Sequence, residues 1–101
     1  MRFIVKRIDG IVRASVVNGM NVVDLPLRLD LVNHSPTGFE FGYGGSGPSQ
    51  LALAILAFYL GDEKALMMYQ DFKWKFIANK SGNEFEITEA QIDDFLACWP
   101  E

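Results

Sequence analysis

The chain has 101 residues, half of them hydrophobic and 13% aromatic, and a formal net charge of −4. Length and composition fit one globular domain over residues 1–101, and the acidic balance excludes broad electrostatic binding to DNA or RNA. One cysteine, Cys98, and one histidine, His34, exclude an internal disulfide and a single-chain zinc site of ordinary ligand count, and the lone thiol fits a reducing compartment.

The first ten residues, "MRFIVKRIDG", hold an apolar run too short and too interrupted by charge for a signal peptide. "FIVKRIDGIVRASVV" reads as a β-hairpin. Its two Ile/Val-rich runs flank Asp9-Gly10, a dipeptide suited to a tight turn with positive φ. Asn18-Gly19 offers a second turn. In "LPLRLDLVN" the leucines at 25, 27, 29 and 31 alternate with Arg28 and Asp30, which predicts a strand covered on one face. Pro26 places it at an edge or a strand entry. "NHSPTG" is turn chemistry, and "FEFGY" alternates as a short strand would.

Residues 48–60 are apolar nearly all round, which predicts a helix central to the core. Pro48 suits its first turn, Ser46 or Gly47 its N-cap and Gly61 its C-terminal end. The ten apolar residues Leu51 to Leu60 are half of what a bilayer requires, so no membrane span is expected. Asp62 is placed to cap a second helix running to about Asn79, which "KSGN" breaks. "EFEI" reads as a brief strand. Thr88 with Gln91 forms a capping box for a last helix that ends near Trp99, stopped by Pro100. Strands first, then helices, with one late strand, predict an α+β fold: a small antiparallel sheet packed against about three helices.

"GFEFGYGGSGPSQLALAIL" (38–56) carries the main functional question. Four glycines fall between Gly42 and Gly47, just before the apolar helix. Gly42, Gly44 and Gly47 satisfy G-x-G-x-x-G, with Asp62 twenty residues beyond Gly42. The dinucleotide fingerprint, however, needs a βαβ unit with the acidic residue ending a second strand, and here Asp62 opens a helix. The P-loop reading fails as well, because Pro48 stands where the phosphate-binding lysine belongs. Two readings remain: a tight corner packed against a buried helix, or a helix N-terminus whose free amides hold an anion.

Other candidates each have an ordinary counterpart. His34 could be a general base, with Ser35 or Ser46 as nucleophile and Asp30 or Glu40 orienting it, yet "NHSP" is equally a hydrogen-bonded turn. In "FKWKF" (72–76), Lys73 and Lys75 could meet a phosphate while Trp74 stacks on a base. Residues two apart on a helix diverge, so the plain reading is an amphipathic helix with solvated lysines. The carboxylates at 84, 86, 89, 93 and 94 read as a solvated acidic face, and Cys98 as a small core residue.

"DLVNHSPTGFEFGYGGSGPSQLALAIL" and "MMYQDFKWKFIA" resemble a family of small bacterial and phage-encoded proteins of no assigned activity. The resemblance covers roughly residues 25–79. The family's motif often carries Trp at Phe41 and Ala at Ser49, and neither difference removes the glycine loop. A phage context implies an anti-defence role in the bacterial cytoplasm, such as sequestering a nucleotide immune signal as a homo-oligomer.

The expectation is therefore a non-catalytic binding protein, without cofactor or metal, for a small phosphorylated or nucleotide-like ligand. Amides of Gly44, Gly45, Ser46 and Gly47 would hold the anion and Tyr43 would stack. Asn33, His34 or Gln50 would hydrogen-bond, and Lys73 would supply charge. The alternative is a protein-interaction module or inhibitor of a host protein, with the loop purely structural. Phe39, Phe41, Tyr43, Phe58 and Trp74 are more aromatic surface than one small core should hide, so self-association is expected.

Overall fold

The computed structural model describes residues 1–99, so the expected stop at Pro100 lies outside the described residues. Asp9 and Gly10 take φ of 53° and 78°, the geometry of the tight turn that the Asp-Gly pair favours. They join β1 (Arg2–Ile8) to β2 (Ile11–Asn18). The second turn falls one residue later than the Asn-Gly pair suggests. Asn18 still pairs with Asn21, and Gly19 and Met20 make the bend into β3 (Asn21–Asp24). With β4 (Glu84–Thr88) on the other side of β1, the sheet is fully antiparallel in the order β3-β2-β1-β4.

α1 (Ser46–Leu60) is buried at every position from Gly47 to Ala57, as its apolar circumference requires. Phe3, Val5, Val12, Ala14, Val16 and Ile87 form the sheet's inner face within the same core. α2 (Asp62–Phe72) runs directly into a π-helical turn (Lys73–Ile77), in which the Ala78 amide donates to the Lys73 carbonyl five residues back. α3 (Glu89–Ala97) starts from the expected capping box of Thr88 and Gln91. The architecture is α+β, with a four-stranded antiparallel sheet and three helices.

Three local expectations are corrected. Residues 25–31 form no strand. Pro26 has no N–H to donate, Arg28 sits at φ 59°, and Leu31 closes a turn on the Arg28 carbonyl. The alternating leucines instead pack Leu25, Leu27 and Leu31 against the core from an irregular segment. "FEFGY" likewise lacks a ladder: Phe39 and Phe41 are buried while Glu40 turns to Arg7. The caps also shift by one residue. Gly45 rather than Ser46 or Gly47 is the N-cap of α1. Gly61 precedes α2, and the Asp62 carboxylate accepts from Arg28 instead of capping.

The chain from Leu25 to Gly45 thus crosses the molecule without a helix or strand. It is pinned at several points. Gln50, fully buried on α1, accepts from the His34 and Ser35 amides and donates to the Leu27 and Val32 carbonyls. Arg28 holds both Asp30 and Asp62, and Arg7 donates to Glu40 and to the Phe41 carbonyl. An ordered connection of this length inside a small domain is uncommon and is more often functional than incidental.

Candidate functional site

The pinned segment delivers the glycine loop to the start of α1, and its glycines divide into two kinds. Gly42 has φ 91°, donates to the Ile77 carbonyl and leaves a Cβ only 3.0 Å from the Lys80 carbonyl oxygen. Gly47 is buried, and a Cβ there would lie 2.5 Å from the Glu40 Cβ and 3.1 Å from its backbone nitrogen. Backbone therefore requires glycine at both positions, and these two make the corner.

Gly44 and Gly45 differ. Neither has a positive φ, and only side-chain rings stand in the way of a Cβ. At Gly44 the obstacle is the Trp74 ring at 2.1 Å, and at Gly45 the Tyr43 ring at 2.5 Å. Both rings are exposed, Trp74 by 60% and Tyr43 by 52%. The Trp74 ring thus lies over Gly44 and the Tyr43 ring over Gly45. Among the described residues, the amides of Gly44, Gly45, Ser46 and Gly47 find no hydrogen-bond acceptor. These N–H groups open the N-terminus of α1, where the helix dipole adds partial positive charge.

Lys73 reaches this loop from the π-helical turn. Its ammonium donates to the Gly44 carbonyl at 3.3 Å and lies 4.5 Å from the Trp74 ring centre. It is only 5% exposed, which corrects the expectation of a solvated lysine, whereas Lys75 two residues on is exposed. The divergence of the two lysines is as helical geometry dictates. The π turn was missed because a five-residue register shift leaves no mark in the apolar spacing.

Beside the loop is a cleft of about 470 Å³ between the β1–β2 turn, residues 35–40 and the start of α1. Tyr43, Ser46 and Gly47 form one wall, Ser35, Thr37 and Glu40 another. Glu40 and Arg7 are ion-paired, which offsets the carboxylate's charge at the cleft.

Of the other residues picked from the sequence, Gln50 has all four hydrogen-bonding positions taken within the fold and none left for a ligand. The His34 Nε2 meets the Tyr69 hydroxyl at 2.8 Å, while the His34 amide donates to Gln50. Asn33 is exposed. The Ser35 hydroxyl donates to the Gly38 carbonyl, so it forms no pair with His34. Ser46 is exposed and bonded to no base among the described residues. No cluster of three or more His, Cys, Asp or Glu side chains occurs among them, and none of their helices is long and apolar enough to cross a membrane. Cys98, expected in the core, is exposed.

Residues 5–98 match the model of a family described as "Family of unknown function (DUF6166)". No curated protein and no solved structure matches the chain significantly.

Proposed function

The chain belongs to that family, and we propose, from its geometry, that it is a non-catalytic binding protein for a small anionic ligand of nucleotide type. The observation that carries this reading is the set of four unpaired amides, Gly44 to Gly47, framed by the exposed rings of Tyr43 and Trp74. The amides supply donors and a dipole for a phosphate. The rings supply flat apolar surface for a base, and stacking of this kind contributes about 1–3 kcal/mol per base. Lys73 ties down the Gly44 carbonyl, which keeps its charge close to the loop. Sequestration of a nucleotide immune signal, the role implied by the resemblance to phage-encoded proteins, is the specific form of this reading.

The test is a thermal-shift and calorimetric panel of mono-, di- and cyclic nucleotides with the intact protein. A saturating ligand stabilises by mass action, about 2.7 kcal/mol at a hundredfold excess over Kd. Gly45→Val, which drives a side chain into the Tyr43 ring, is expected to remove the shift at a cost of about 1 kcal/mol to the free protein, because Gly45 is the N-cap of α1. A cooperative melt that no nucleotide moves, with no heat of binding, overturns the proposal.

The second reading, a protein-interaction module, is favoured by Leu66, Met67 and Trp74, which are exposed by 42%, 67% and 60% on α2 and the turn that continues it. Capture of a protein partner lost in Met67→Glu, with no nucleotide binding, would place that reading first.

A further inference from the structure

Among the described residues, the three helices contribute to the core on one side of the sheet and nothing covers the other face. Strand alternation sends Phe3, Val5, Val12, Ala14 and Val16 inward. It therefore sends Ile4, Ile8, Ile11, Val17 and Val22 outward, where Ile8, Ile11 and Val22 are exposed by 61%, 57% and 64%. Ile4, Ile8, Val17 and Val22, with Lys6, Arg13 and Ser15, line a shallow groove of about 340 Å³ across β1, β2 and β3. Exposed isoleucines and valines gathered on one open sheet face, with Lys6 and Arg13 crossing between them, suit an interaction surface.

The charges on the face indicate what covers it. Arg2, Lys6 and Arg13 stand against Glu84, Glu86 and Asp24, so the face is balanced and offers no uniform field to a nucleic acid or an anionic lipid surface. Arg2 pairs with Glu86 at 3.5 Å and Lys6 with Glu84 at 3.9 Å, along the β4 side. Arg13 and Asp24 are left over. Both are exposed, and among the described residues neither side chain makes a hydrogen bond or ion pair. Asp24 sits opposite Ser15, one outward-facing position along β2 from Arg13. One unpaired cation and one unpaired carboxylate on a single face suit a two-fold contact, because each copy carries both and the pair forms twice.

We propose that the open face of the sheet docks a second copy of this chain, with the two sheets packed face to face, the isoleucines and valines buried, and Arg13 of each copy against Asp24 of the other. Face-to-face sheets pack about 10 Å apart, which suits side chains of this size. The groove shares no lining residue with the cleft beside the glycine loop, so the dimer is tested apart from the ligand reading.

The contact is tested on the full chain by sedimentation velocity from about 5 to 500 µM, a range spanning weak association. The expected result is a concentration-dependent dimer, lost in Arg13→Asp and in Asp24→Arg and restored in the double reversal. Circular dichroism checks that each variant is folded. Ile4→Glu, in the middle of the patch, is expected to abolish the dimer without rescue. A monomer at every concentration overturns the proposal whatever else the face binds. So does a dimer indifferent to the reversals, or one that the double reversal fails to restore.

Discussion

The Lys73 ammonium donates to the Gly44 carbonyl 29 residues earlier in the chain, tying the π-helical turn to the glycine loop. Lysine is seldom this buried without a partner, and here the partners are a carbonyl and the face of Trp74. Replacing Lys73 by methionine keeps the volume and removes the charge. The expected stability change is small, within about 1 kcal/mol, because a lost hydrogen bond offsets a relieved desolvation cost. Trp74 fluorescence should shift as the cation leaves its ring, and nucleotide affinity should fall modestly. Unchanged fluorescence would mean that Lys73 does not sit over Trp74.

The two kinds of glycine should separate on substitution. Gly47→Ala forces a methyl against the Glu40 Cβ and backbone inside the core, and is expected to cost about 1–3 kcal/mol. Gly44→Ala meets only the exposed Trp74 ring, which can swing aside, so the change should stay within about 0.5 kcal/mol. Urea denaturation of the two variants checks this. Equal losses would mean that the whole loop is a packed corner.

Gln50→Leu keeps the shape of the side chain and leaves the Leu27 and Val32 carbonyls and the His34 and Ser35 amides without their partner. Each orphaned buried group costs about 1–3 kcal/mol, so a loss of at least about 3 kcal/mol is expected. Hydrogen exchange of the His34 and Ser35 amides should rise in step. Near-wild-type stability with slow exchange would show that the segment is held elsewhere.

Arg28 gives the acid limb of the stability curve a sign. Its side-chain hydrogen bonds hold the Asp30 carboxyl below its ordinary value. A depressed folded-state value stabilises the protein above the unfolded carboxylate range, near pH 4, and that stability is lost as pH falls through the folded value. Arg28→Gly suits the positive φ and removes the guanidinium. The wild type should therefore lose melting temperature more steeply than this variant between about pH 5 and pH 2. Parallel curves would show that the carboxylates do not depend on Arg28.

The sequence alone determined the hairpin at Asp9-Gly10, the buried helix with its Gly61 end, the Thr88–Gln91 capping box and the α+β class, because each rests on neighbours a few residues apart. It also singled out the glycine loop. What it misjudged depends on distant partners. Leu25 to Leu31 alternate as a strand would, yet Pro26 has no N–H, Arg28 sits at positive φ, and Gln50 and Asp62 take up Leu27 and Arg28 instead. Phe39 and Phe41 looked like surplus aromatics and are buried, while Tyr43, Phe58 and Trp74 are exposed, as are Ile8, Ile11 and Val22 on the sheet. Whether a glycine is required by backbone, as at Gly42 and Gly47, or only overlaid by a ring, as at Gly44 and Gly45, is decided by what lies within about 3 Å of its absent Cβ. Those contacts come from residues as far away as Trp74 and Lys80. Local spacing fixes dihedral preference and facing, whereas close approach is a property of the assembled fold, so only the tertiary structure could split the loop into corner and surface.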